Sequence, residues 1–169
     1  MGPDHACRAF GAHGEIESRA EAQGSMSAPH IPATLRRLVR ERARECCEYC
    51  LAPELLCFHT HPVDHIIAQK HGGSTLEENL ALSCIGCNQA KGSDLSSIDP
   101  DNGQLIPLFH PRRDRWSEHF ELRDAFIVAK TAAGRVTARL LQFNAPDRVA
   151  EREWFIAAGA LMIPTSIAR

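Results

Sequence analysis

The stretch P-V-D-H-I-I-A-Q-K-H-G-G-S-T-L-E-E-N-L-A-L-S-C-I-G-C-N-Q-A-K-G, residues 62 to 92, decides the fold. Val63, Ile66 and Ile67 predict a short strand, His71-Gly72-Gly73-Ser74 a turn, and Leu80 and Leu82 an alternating second strand that runs into C-I-G-C. The chain after Cys87 can begin a helix, so the unit reads strand, loop, strand, helix. Polar residues sit in it where an apolar core would not want them. Asp64 and His65 interrupt the first strand, Asn79 precedes the second, and Asn88 follows the last cysteine. Burying such groups is unfavourable unless each is paired or binds something, so the set predicts an active site where a lone histidine would not. Asp64 and His65 pose a difficulty, because neighbours on a regular strand point to opposite faces; Pro62 just upstream hints at irregular backbone there.

Working outward, Cys84 and Cys87 answer a matching knuckle, C-E-Y-C at Cys47 and Cys50, with 33 residues between the pairs. This is the spacing of a tetrahedral thiolate zinc site. Each turn aims two sulfurs at one ion, and closing the intervening loop through the ion makes metal binding part of folding. Seven cysteines are an awkward number for a disulfide framework, and no secretion signal is visible, which favours a reducing, cytoplasmic setting. A redox pair or buried free thiols would not account for two matching knuckles. Cys7, Cys46 and Cys57 read as bystanders.

The chain has 169 residues with 44% hydrophobic and 24% charged, ordinary for a soluble globular protein, and no apolar run is long enough to span a membrane. The formal charge is −2, so any nucleic-acid contact has to use a local patch. Residues 1–33, rich in Gly, Ala, Ser, Pro and Glu, are expected to be disordered, and Met26 leaves open that the preceding stretch is an upstream extension. Residues 34–45 carry Arg36, Arg37, Arg40, Arg42 and Arg44 around a stripe of Leu35, Leu38, Val39 and Ala43. That pattern predicts an arginine-faced amphipathic helix, either a solvated surface helix or one that contacts phosphate.

Beyond Gly92, S-D-L-S-S-I-D-P-D-N-G is turn-rich, and L-I-P-L-F-H-P-R-R-D-R-W-S-E-H-F runs from Leu105 to Phe120. Arg112, Arg113 and Arg115 are candidate phosphate contacts, whereas Trp116 and Phe120, four apart, fit the core of a short helix better than a base-stacking platform. Phe126 and Val128 on one side of Ala133-Gly134, with Val136, Ala138 and Leu140 on the other, predict a hairpin. Asn144 and Pro146 mark a helix start and Gly159 its stop. The expected class is α+β, with residues 34–169 as one domain.

Residues 47–92 closely resemble the HNH nuclease family, on D-H-I-I around His65, G-G with E-E-N-L around Asn79, and C-I-G-C-N-Q-A-K-G around Asn88. The resemblance implies a beta-beta-alpha metal (His-Me finger) core stapled by a four-cysteine zinc site, with the segment from 105 to 160 as family-like scaffold. It also implies a metal-dependent endonuclease acting on DNA, with His65 as general base and Asp64 and Asn88 as ligands of a catalytic ion. Asn79 would brace the loop and orient the histidine, and the products would carry 5'-phosphate and 3'-hydroxyl ends. Asn88 stands where the name-giving motif ends in histidine, an H-N-N variant. Two ions with separate tasks are implied: a structural Zn2+ held by Cys47, Cys50, Cys84 and Cys87, and a labile Mg2+ or Mn2+, with Ni2+ also open. Lys70 and Lys91 are further phosphate candidates, and His59, His61 and His71 read as surface residues that could touch phosphate or metal. A non-catalytic zinc-stabilised module binding nucleic acid or protein is the rival, but it would need the cysteines without the Asp64, His65, Asn79 and Asn88 quartet. Target sequence, nicking against double-strand cutting and oligomeric state are not legible in the sequence.

Overall fold

The computed structural model describes residues 31–161, so the expectation for residues 1–33 falls almost wholly outside it. Helix α1 (Ala33–Arg42) is the arginine-faced helix expected; it buries Val39 against Leu80 and Leu82, leaves Arg36 and Arg37 in solvent, and turns Arg42 to donate to the carbonyls of Glu77 and Leu80. Arg44 and Glu45, both at positive φ, turn the chain out of α1 into the first cysteine knuckle.

Strands β1 (Val63–His65) and β2 (Leu80–Leu82) pair antiparallel, with Asp64 opposite Ala81 and His65 opposite Leu80. Helix α2 (Ile85–Lys91) comes next, giving the strand, loop, strand, helix order. Two details differ from expectation. Strand β1 ends at His65, leaving Ile66 and Ile67 in the loop, and α2 begins before Cys87 because the Cys84 sulfur caps it by accepting the Cys87 N–H at 3.4 Å.

The turn-rich segment after Gly92 contains a strand pair, β3 (Ser96–Ile98) with β4 (Leu105–Pro107). Its connection is closed by Asp99, whose N–H donates to the Gln104 carbonyl and whose own carbonyl accepts from Gly103 N–H, each at 2.8 Å. The fully buried Asp99 carboxylate accepts two hydrogen bonds from Arg135.

The short helix α3 (Trp116–His119) leads into β5 (Phe120–Arg123), paired with β6 (Phe126–Ala129). The hairpin expected around Ala133-Gly134 is therefore misplaced. The turn lies at Asp124-Ala125, with Asp124 at φ 51°, and Ala133-Gly134 belongs to helix α4 (Ala132–Leu140), capped by the Thr131 hydroxyl accepting from Gly134 N–H. Gly134 marks a close approach: a Cβ there would sit 2.4 Å from the His119 carbonyl oxygen. Helix α5 (Pro146–Ala157) spans the stretch expected, and Gly159 lies beyond it at positive φ.

One apolar cluster joins the two parts of the chain. Cys47, Tyr49, Cys50, Leu51, Ile66, Ala81 and Cys87 pack with Phe109, Trp116, Phe120, Ile127, Leu141, Phe143 and Phe155. Phe120 lies at its centre, with ring centroids 5.3 Å from both Phe109 and Trp116 and 5.6 Å from Phe143. Such pairs add about 0.5–1.5 kcal/mol each beyond their burial. The mixture of short strands and helices is the α+β class expected.

Candidate active site

The two knuckles converge. The sulfurs of Cys47, Cys50, Cys84 and Cys87 all lie within 4.8 Å of one another, and those of Cys50 and Cys84 are 3.6 Å apart. Four sulfurs about 2.3 Å from a central ion would be separated by about 3.8 Å at the corners of a tetrahedron, so the cluster fits a tetrathiolate metal site. Its acid–base chemistry agrees. Burial pushes the Cys47 and Cys87 thiols up, while hydrogen bonds from its three neighbours hold Cys50 well down, so a cation is needed for Cys47 and Cys87 to join Cys50 as thiolates. Cys46 and Cys57 stand outside the cluster, their thiols donating to the carbonyls of Arg44 and Pro53, and burial raises Cys57 to about 12. Cys7 lies outside the described residues.

The first knuckle is tied to β2 and to the later half of the chain. Leu51 takes φ 66° to close it, and Glu48 pairs with the end of β2, its N–H donating to the Leu82 carbonyl and its carboxylate accepting from Leu82 N–H, each at 2.9 Å. Arg112 forms an ion pair with Glu48, and the Trp116 indole N–H donates to the Tyr49 carbonyl at 3.0 Å. Trp116 is thus a buried anchor, and Arg112 is committed to the knuckle.

Asp64 is buried on β1. Its Oδ2 is 2.9 Å from the Lys91 ammonium and accepts the Tyr49 hydroxyl at 3.3 Å. Burial raises the carboxyl pKa, opposed by Lys91 and by the Tyr49 hydrogen bond. Lys91 is only 3% exposed and also donates to the carbonyls of His65 and Gly92. The expectation that it meets phosphate differs from this placement. Its charge is turned inward to a buried carboxylate, because an ammonium at that depth is tolerated only when paired.

His65 faces the loop after β1. Its Nε2 is 3.0 Å from the Thr75 hydroxyl and 3.4 Å from the Gln69 amide nitrogen, which itself donates to Thr75 at 3.1 Å. Burial lowers the imidazole pKa below its ordinary value; Asp64 opposes that shift and Lys91 reinforces it. The neutral ring therefore prevails at neutral pH.

Asn79 staples this loop. Its Oδ1 accepts Ile67 N–H and its Nδ2 donates to the carbonyls of Ile67 and Ser74, all at 2.9 Å. Gly73 fits beneath the staple because a Cβ there would lie 1.7 Å from the Ile67 carbonyl oxygen, and Gly72 takes φ 82°. Asn79 makes no contact with His65 among these bonds; the link runs through the loop that carries Gln69 and leads to Thr75. Asn88 is partly exposed on α2, one turn before Lys91.

The remaining expected residues are dispersed. Lys70, His71, His59, Arg36, Arg37 and Arg113 are exposed; Arg37 pairs with Glu41 at 3.7 Å, and exposed Arg115 with Glu118 at 3.6 Å. Arg40 is held by Glu54. His61, expected at the surface, is buried, with its Nε2 3.0 Å from the Ala52 carbonyl. Glu48, Tyr49, Gln69 and Thr75 take part without having been singled out from the sequence. For Glu48 and Tyr49 a signal existed, since both sit inside the first knuckle.

A hairpin and helix joined by a four-cysteine cluster that fits a metal, with a carboxylate and an imidazole on the first strand, make up a beta-beta-alpha unit. Residues 47–94 match the family model of the HNH endonuclease. Over 93 residues, 54% of its length, the chain is 32% identical to the CRISPR-associated endonuclease Cas9 of Corynebacterium diphtheriae, of which it spans 8%. No solved structure matches the chain significantly. No helix among the described residues is long and apolar enough to cross a membrane.

Proposed function

We propose that the chain is a metal-dependent endonuclease that hydrolyses DNA phosphodiester bonds through a water activated by His65, leaving 5'-phosphate and 3'-hydroxyl ends. The observation that carries this reading is a buried Asp64 carboxylate that already pairs with a cation, next in the chain to the His65 imidazole whose pKa burial lowers, where β1 ends. The match of the surrounding residues to an HNH endonuclease supports it. Zn2+ is the ion for the four cysteines, and its task is folding.

His65 takes the proton of the attacking water. In the tautomer that donates its Nε2–H to the Thr75 hydroxyl, Nδ1 is unprotonated and is the ring atom for that task. Asn79 keeps the loop closed so that Thr75 and Gln69 hold the ring in place. Asp64 and Asn88 would hold Mg2+ or Mn2+, with Ni2+ an acceptable substitute; both contacts to Asp64 fall on Oδ2, and Oδ1 is the oxygen that could serve the ion. That ion would supply positive charge to the phosphoryl oxygens and the departing 3' oxygen. One carboxylate and one amide are a small share of six oxygen ligands, so the site fills mainly when substrate phosphate joins it. Lys70, Arg36, Arg37, Arg113 and Arg115 are the candidates for phosphate contact. Residues 34–169 act together as one domain, 47–92 as the catalytic core and 105–160 as scaffold.

Plasmid nicking tests the assignment. His65→Ala with zinc content and fold preserved is expected to lose about 10²–10⁴-fold in rate at any magnesium or manganese concentration. Undiminished cleavage by that variant places the base elsewhere. Absence of cleavage by wild type, with DNA binding retained, favours a non-catalytic zinc module instead.

A further inference from the structure

Helix α5 reaches the thiolate cluster from outside the hairpin. Its Arg148, which no motif announces and which lies beyond the HNH match, approaches from the side of the second knuckle. The Nη2 donates to the Cys87 sulfur at 3.1 Å and lies 3.7 Å from that of Cys84, while Nη1 donates to the Leu141 carbonyl at 2.5 Å. The guanidinium lies 5.8 Å from the centre of the Phe143 ring. Gly86, between the two cysteines, leaves room for it: a Cβ there would stand 3.9 Å from the Arg148 guanidinium carbon. The group is thus fixed on three sides and aimed at sulfur.

Charge explains why. Four thiolates around a divalent cation carry a net −2, and this cluster lies among Leu51, Phe143 and Phe155 with little water to solvate it. A guanidinium at hydrogen-bond distance halves that charge and satisfies sulfur lone pairs that the metal leaves free. Arg152, the buried cation of α5, is engaged by the carbonyls of Ala125 and Phe143 and does not substitute for the half-buried Arg148.

We propose that Arg148 is the counter-cation of the tetrathiolate site, so that zinc retention by the HNH unit depends on helix α5, some 60 residues past the last ligand. It touches no substrate and acts only through the sulfurs. The consequence is independent of whether the chain cleaves DNA.

The test is metal affinity of the full chain, measured by competition with a chromophoric chelator for Zn2+ and Co2+, together with the thiolate-to-cobalt charge-transfer band. Wild type should bind one ion with four-thiolate spectral character; if it does not, the zinc assignment itself fails, whatever Arg148 does. In R148M, which keeps length and apolar bulk, zinc affinity should drop about 10–100-fold and the charge-transfer band should move to lower energy as N–H···S bonds are lost. R148K, which keeps the charge, should fall between. An unchanged affinity and band in R148M overturn the proposal. Should R148M not fold, R148Q is decisive by the same two readouts, and wild-type values in it overturn the proposal equally.

Discussion

The stretch from Cys47 to Lys91 and the stretch from Phe109 to Phe155 are held by different forces, although they share one cluster. The first has strands of three residues, four thiolates, an asparagine staple and a buried Asp64–Lys91 pair. The second has the aromatic nest of Phe109, Trp116, Phe120 and Phe143, with Phe155 beside it. Side chains proposed to meet phosphate and metal cannot also be the apolar glue of their own hairpin. The hairpin is therefore rigidified by polar bonds and by its sulfur cluster, while hydrophobic area is gathered next door and pressed against the knuckles.

The contrast can be broken most forcefully by stripping the structural metal. Structural zinc contributes about 10–16 kcal/mol in small zinc units, more than a typical domain's whole stability. Chelation is expected to abolish amide-exchange protection across 47–91 while part of the protection in β5, β6 and α4 survives. Simultaneous loss in both stretches would mean that they form one cooperative unit.

Next in size is Phe120→Ala, which empties the centre of the aromatic nest and should cost about 3–5 kcal/mol in a denaturant titration of the metal-loaded protein. Cobalt spectra of the folded fraction should stay unchanged, since the substitution leaves the sulfurs in place. A smaller effect is expected from Asn79→Ala. It leaves the Ile67 N–H and the Ile67 and Ser74 carbonyls without their partner, at about 1–3 kcal/mol. The loss in nicking rate should exceed what the stability change alone explains, because Thr75 and Gln69 lose their fixed place beside His65.

The smallest effect concerns pH. Arg135 holds the Asp99 carboxyl below its usual range, so the pair's contribution is complete above the unfolded value near 3.9 and fades as pH falls through the lower folded value. Between about pH 5 and about pH 2, Asp99→Asn should lower the starting stability and flatten the acid slope. An unaltered slope would assign it to other carboxylates.

The two stretches also differ in how much of them can be read from residues alone. Between the knuckles, cysteine spacing and polar interruptions announce the hairpin, the thiolate cluster and the position of Asn79, because metal and turn chemistry fix residue type at fixed intervals. What resists reading is partnership. Nothing in the order of residues tells that Lys91 turns inward to Asp64, or that Arg112 is held by Glu48. Past Gly92 the misreading is one of kind. Gly134 resembles a hairpin turn, yet its missing Cβ serves the approach of α4 to the His119 carbonyl, and Val136 and Leu140 are four apart on a helix. Arg148 gives no signal at all, since a single arginine in an amphipathic helix is ordinary until a sulfur is found beneath it.

The indole of Trp116 grips the Tyr49 carbonyl, while the phenol of that same tyrosine supports Asp64 from below. A peptide cut to the match boundaries would keep its four cysteines, but the carboxylate would lose the strut that a distant tryptophan keeps upright. The portable piece of this fold is consequently larger than its signature, and grafting the signature alone would transplant a metal-binding loop without its foundation.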